Sequence, residues 1–157
     1  MISKNLSAFL LMIRHCEGTY TTDDEGYRAL FGWIKGNGKV IKSYADHPRK
    51  YTPYTDHAGE KLQTSAAGAY QMIVGTYDAL KKRGIMKDFS PSEQDKGAIE
   101  LIREKGALKD IESGAFGTAI TKVRKIWASL PGSGSNQPEK SMTAARKWYS
   151  DAGGTFA

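Results

Sequence analysis

The chain has 157 residues, 39% hydrophobic and 25% charged, with 23 Lys plus Arg against 17 Asp plus Glu, a balance of +6 that suits a polyanionic partner such as nucleic acid, anionic lipid or bacterial cell wall. At that length roughly two-thirds of the extended surface can be buried, so a single domain over 1–157 can close on its own core without staples. The lone Cys16 excludes an internal disulfide, and His15, His47 and His57 lack the spacing of a zinc site, so neither a metal nor a cofactor is expected.

Leu6, Phe9, Leu10 and Ile13 fall at i, i+3, i+4 and i+7, which predicts a helix over 4–16. Its apolar face continues to Glu17, and Gly18 follows in the position of a left-handed cap. This run is far shorter than the ~20 residues of a membrane span. Charged residues also follow it where a signal peptide needs small ones, so synthesis and retention in the cytoplasm are expected. Within 31–45, Trp33, Ile34, Val40 and Ile41 flank Gly36-Asn37-Gly38 and predict a small β-hairpin. Residues 50–61 and 131–141 are rich in turn formers and read as long mobile loops. Ser65, Ala66, Ala67, Gly68 and Ala69 are small enough to let another backbone or a ligand come close.

A short helix is expected over 76–82. Ser90 as cap, Pro91 in the first turn and Glu93 three residues after the cap open another, which runs to about Lys105 and stops at Gly106. Phe116, Ile120, Val123 and Trp127 predict a further amphipathic helix, and Met142, Ala145, Trp148, Tyr149 and Ala152 a last one. The fold class is α+β, mostly helical, with one small antiparallel sheet.

Glu17 is the leading chemical candidate. Partial burial and the negative end of the helix dipole both favour its protonated form, which can act as a general acid toward a glycosidic oxygen. A helix-end acid paired with a surface base is the competing reading. Asp23, Asp24, Glu25, Asp46 and Asp56 are available as a second carboxylate, and no pattern selects one; Asp23-Asp24-Glu25 reads as a solvated turn. Cys16 and His15 are adjacent on a helix and point about 100° apart, which argues against a thiol nucleophile. Asp46-His47-Pro48-Arg49 is either a rigid ledge beside a cleft or a structural turn. Basic residues are scattered, glycines form no phosphate loop, and no nucleic-acid module is expected.

Several ordered strings give the chain a resemblance to the lambda-type phage endolysins, lysozyme-like lytic transglycosylases of peptidoglycan. They are Glu17-Gly18-Thr19, Gly26-Tyr27, Tyr44 with Asp46-His47-Pro48-Arg49-Lys50, Gly68 with Tyr70-Gln71, Lys87-Asp88-Phe89-Ser90-Pro91, Ile126-Trp127-Ala128-Ser129-Leu130-Pro131-Gly132 and Ala152-Gly153-Gly154-Thr155. The resemblance implies a lysozyme-like fold with a cleft between a β-region and a helical lobe, the loops 50–61 and 131–141 as its lips, and Glu17 as catalytic acid. It also implies substrate contacts from Tyr44, Asp46, His47, Arg49, Tyr70, Gln71 and Gln137. The implied partner is the peptidoglycan glycan strand, reached by a monomer that a separate membrane pore protein releases from the host cytoplasm to the periplasm. Cleavage with a 1,6-anhydro product, hydrolysis by water with Asp46 or another acid as partner, and a non-catalytic cell-wall or polyanion-binding module are the alternatives. Arg28 stands where the family has an acid after Gly-Tyr, and aromatic residues expected near Ser135 and Pro138 are missing.

Overall fold

The computed structural model describes residues 2–33 and 37–157. The described residues form six α-helices and a two-stranded antiparallel sheet. They fall into two compact units, Met1–Cys16 with Ile99–Ala157, and Glu17–Ala98.

The first unit is helical. Helix α1 (Lys4–Glu17) begins where the Ser3 hydroxyl accepts from the Leu6 amide at 3.1 Å, and it buries Leu6, Phe9, Leu10 and Ile13 as their spacing predicts. Ala8, Met12 and Cys16 are buried as well, so the covered face is broader than one stripe. Phe9 meets Phe116 edge-on at 5.8 Å, and Phe116 and Tyr149 lie 4.8 Å apart, an aromatic cluster that adds quadrupole complementarity to burial. The C-terminal half of α3 (Pro91–Glu104) ends before Gly106, whose φ of 70° gives the left-handed stop. Three shorter helices follow: α4 (Leu108–Glu112), α5 (Phe116–Val123) and α6 (Met142–Asp151). The Ser141 hydroxyl caps α6 by accepting from the Ala144 amide at 3.1 Å. Helix α5 is shorter than its apolar spacing predicts: Trp127 is buried from the turn beyond it, which satisfies the period without continuing the helix.

The second unit carries the sheet, and here the sequence reading needs correction. Strands β1 (Thr52–Thr55) and β2 (Lys61–Thr64) pair in register Thr52↔Thr64 to Thr55↔Lys61, with β1 inside the segment 50–61 expected to be a mobile loop and β2 starting at its last residue. Pro53 sits without penalty because a two-stranded sheet is all edge. The Asp56 carboxylate closes the connection by accepting from the amides of Ala58 and Glu60 at 3.0 and 2.9 Å. The expected hairpin over 31–45 lies partly outside the described residues. Its Val40 side pairs with Ala29 in an isolated antiparallel bridge, the Leu30 amide donating to Lys39 and the Ile41 amide to Arg28. Helix α2 (Val74–Lys82) and the N-terminal half of α3 complete the unit. Glu93 does not close a box on Ser90. It accepts from the Lys87 amide at 2.7 Å, and Asp88 takes the Ser90 amide at 2.9 Å. No helix among the described residues is long and apolar enough to cross a membrane.

A tight turn over 67–72 organises this unit. Ala67 and Met72 exchange both backbone hydrogen bonds, and between them Gly68 has φ 79°. A Cβ on Gly68 would stand 2.2 Å from the Gln94 side-chain oxygen. Gly68→Ala is therefore expected to cost about 2 kcal/mol or more, from left-handed strain plus loss of the Gln94 contacts. Urea unfolding would show this as a lower midpoint at unchanged slope.

Candidate functional site

Glu17 is the last residue of α1 and the first of the second unit, and it is half-buried. Gly18, at φ 74°, ends the helix as its sequence position predicts. Two residues on, buried Thr19 donates its hydroxyl to the Ala69 carbonyl at 2.7 Å. Gly26 closes against the same residue: a Cβ there would lie 2.8 Å from the Thr19 carbonyl oxygen. The chain leaving Glu17 is thus fixed to the turn that carries Tyr70 and Gln71.

Gln94 holds that turn from below. It is 2% exposed, its oxygen accepts from the Ala69 amide at 2.9 Å, and its nitrogen donates to the carbonyls of Phe89 and Tyr27 at 2.8 and 3.1 Å. Next to it, one oxygen of Asp95 accepts from the hydroxyls of both Tyr70 and Tyr27, at 2.6 and 2.7 Å. Tyr70 is buried, so its phenol positions the turn. Gln71 is half-buried with a left-handed φ of 48°, and its side-chain nitrogen donates to the Gly68 carbonyl at 2.9 Å. The Met72 carbonyl also receives His47 Nε2 at 2.8 Å, which couples the 67–72 turn to the Asp46–Arg49 corner.

At that corner His47 is buried against Phe89 and Tyr77, at ring distances of 5.0 and 5.7 Å. Its Nδ1 accepts from the Arg49 amide at 2.9 Å while Nε2–H donates to Met72, a pattern that needs the neutral ring. Both ring nitrogens are engaged by backbone groups, which ties His47 to the Met72 carbonyl and the Arg49 amide. Burial pushes its pKa down from the ordinary value. Exposed Arg49 lies between Asp46, at 2.9 Å from Nε, and Asp78, at 2.6 Å from Nη2. Hydrogen bonding to Arg49 holds the Asp46 carboxyl below the usual carboxylate range.

Arg28 fills a gap that the sequence left open. Its guanidinium lies 4.3 Å from the centre of the Tyr44 ring, donates to the Ile41 carbonyl at 2.8 Å and stands 3.9 Å from Asp24. Asp24 accepts from the Tyr44 hydroxyl, so the acidic turn is exposed yet not merely solvated. Burial, with this bond to Asp24, pushes the Tyr44 phenol far up.

Glu17, Tyr44, Asp46, His47, Arg49, Tyr70 and Gln71 all belong to the second unit, whereas Gln137 belongs to the first. Gln137 sits half-buried in the loop 131–141, which is drawn around Glu139: its carboxylate accepts from the amides of Gly132 and Gly134 at 3.0 and 3.3 Å. Thr19, Gln94, Asp95 and Asp78 were not singled out from sequence. Gln94 had a readable signal, because it lies i, i+4 and i+8 with Ala98 and Ile102, a polar residue on a buried helical stripe.

A half-buried acid at a helix end, its following chain tied through Thr19 to a turn held by a carboxamide, is consistent with a lysozyme-like enzyme. A solved structure of bacteriophage lambda lysozyme complexed with a chitohexasaccharide superposes with a TM-score of 0.89, at 37% identity over 100% of this chain and 99% of that one. A second lambda lysozyme structure gives 0.81 at 34% identity, again over 100% and 99% of the two chains. The endolysin of Escherichia phage P2 is 38% identical over 98% of this chain and 96% of its own length, and that of Escherichia phage lambda 37% identical over 98% and 94%. The family model described as Endolysin matches residues 7–156, and the chain belongs to this family. It is an endolysin of the lysozyme class, acting on the glycosidic bonds of peptidoglycan.

The neutral His47 has a measurable consequence. A histidine whose folded pKa lies below its unfolded value of 6.5 contributes stability that is complete above 6.5 and is lost as the pH falls below it. The depressed carboxylates lose theirs only at lower pH, beginning near 3.8 for Asp46 and Asp78. His47→Gln, which keeps a donor and an acceptor, is expected to reduce the stability lost between about pH 7 and pH 5. Urea midpoints across that range, for both proteins, make the comparison.

Proposed function

We propose that the chain works as one catalytic domain, a lytic transglycosylase that cuts the β-1,4 bond between N-acetylmuramic acid and N-acetylglucosamine without consuming water. Protonated Glu17 gives its proton to the glycosidic oxygen as the bond to the muramoyl C1 breaks. The resulting carboxylate then takes the proton of the muramoyl C6 hydroxyl as that oxygen bonds to C1. The products are a free 4-hydroxyl on N-acetylglucosamine and a 1,6-anhydro muramoyl end, and Glu17 is protonated again. One carboxyl group suffices because the first step leaves it as the base that the second requires.

The observation that supports this reading is the engagement of Asp46 and of three further acids, Asp24, Asp56 and Asp95. Asp46, the partner named for hydrolysis, has both oxygens on Arg49, at 2.9 and 3.3 Å. Asp24 accepts from Tyr44 and Asp56 from two loop amides, while Asp95 holds two tyrosine hydroxyls. A carboxylate held in a charge-assisted pair is a weak base toward water. The Tyr44, Asp46 and Arg49 edges and the Gln71 carboxamide are the contacts that the second unit offers to glycan; Gln137, in the first unit, is a separate candidate contact. The net charge of +6 favours adsorption to an anionic wall. The proposed setting is synthesis in the host cytoplasm, release through a separately made membrane pore, and action as a monomer on the wall in the periplasm.

Mass spectrometry of muropeptides released from purified peptidoglycan is expected to find anhydro ends; reducing ends would establish hydrolysis instead. Glu17→Gln is expected to lower the clearing rate of permeabilised bacteria by about 10²- to 10⁴-fold, the usual worth of a general acid-base group. Its thermal midpoint should match the wild type, and near-normal clearing would remove Glu17 from the mechanism.

A further inference from the structure

The second unit has a recess of about 340 Å³ that shares Asp46 with the glycan contacts above but whose apolar walls and lysines the glycan chemistry does not use. Leu30, Val40, Ile41 and Pro48 supply its apolar lining, and Lys42 and Lys50, both exposed, supply two ammonium groups. Its volume is at the lower end of small-molecule sites. Its walls are fixed from behind: Val40 bridges Ala29, Ile41 exchanges hydrogen bonds with Arg28, and Pro48 follows the doubly bonded His47. The recess is also tied to the catalytic region. Ala29, whose neighbour Leu30 lines it, accepts from the Gly68 amide at 2.7 Å, and Gly68 opens the turn to which Thr19 is bound.

We infer that this recess binds the anionic peptide stem carried by the muramoyl residues of the substrate, an inference that rests on the reading of the chain as a peptidoglycan-cleaving enzyme. Its lining holds no Phe, Tyr or Trp on which a pyranose could stack, and its one ring, His47, is buried against Phe89 and Tyr77. It offers methyl-sized apolar contacts and two point charges, which match a short peptide of alanyl methyls and carboxylates. The one lining carboxylate, Asp46, is turned to Arg49 through both oxygens, so it does not quench the lysines. A stem held here would fix the muramoyl unit against the same framework that fixes Glu17, converting peptide binding into orientation of the scissile bond.

The test compares two substrates, intact peptidoglycan and glycan strands stripped of stems by an amidase. The double variant Lys42→Glu with Lys50→Glu is expected to lose about tenfold or more in rate on the stem-bearing substrate, the scale of one charged hydrogen bond. On stripped strands it should keep the wild-type rate within about twofold. Because the reversal also lowers the net charge, the pair Lys105→Glu with Lys109→Glu serves as a control and should show no such selectivity. Lys42→Arg with Lys50→Arg should restore cleavage of intact peptidoglycan. Equal losses on both substrates, no loss on either, or the same selectivity in the control pair would each overturn the stem site while leaving the enzyme reading in place. A wild type that cuts neither substrate would instead remove the enzyme reading and this site with it.

Discussion

The second unit depends on one buried carboxamide. Gln94 lies within the fold with both ends of its amide satisfied, and all its partners are backbone groups: the Ala69 amide and the carbonyls of Phe89 and Tyr27. An unsatisfied buried amide costs on the order of 1–3 kcal/mol, so the three segments gain most when they arrive together. Gly68 is the concession that makes room, since any side chain there would collide with the Gln94 oxygen. From the turn held in this way, Thr19 leads back to Glu17 and Met72 leads to His47. Three stretches far apart in the chain are therefore positioned through main-chain carbonyls, which move less than side chains.

Charge is distributed so that most acids have a fixed task. Asp95 gathers two phenols, Asp46 and Asp78 share one guanidinium, Asp24 steadies Tyr44, and Glu139 shapes the loop 131–141 by taking two glycine amides. Each of these contacts is worth little where it is exposed, because water and salt screen it. Their value is geometric, in fixing corners and loops that have few apolar contacts. The same logic accounts for Arg28. Next to Tyr27, the Arg28 guanidinium covers the Tyr44 ring and holds the Ile41 carbonyl.

Most helices were legible in the sequence because they rest on local rules, the exceptions being the short α4 and the end of α5. The spacing of Leu6, Phe9, Leu10 and Ile13, the glycines at 18 and 106 and the proline at 91 act within one or two turns of chain, and α1 and α3 follow them. Glu17 was legible for the same reason, as the acid at the exit of a periodic segment. The sheet was not. Thr52, Pro53, Tyr54 and Thr55 look like turn formers until Lys61–Thr64 is known to lie beside them, and Val40 pairs with Ala29 rather than with a near neighbour.

What the residues alone determined is thus five of the six described helices, with α4 (Leu108–Glu112) missed, the positive charge, the absence of an internal disulfide and, by resemblance, the family. Tertiary structure decided which polar residues are tools and which are supports. His47 has the composition of a ligand and the surroundings of a core residue, because both ring nitrogens are used by backbone groups from 25 and 2 residues away. Gln94 has the opposite history, an unremarked helix residue that becomes central once Ala69 and Tyr27 are brought onto it from 25 and 67 residues away. Periodicity records which face of an element is covered. It carries no record of which distant carbonyl will meet a given side chain, and that pairing is settled only when the whole unit closes.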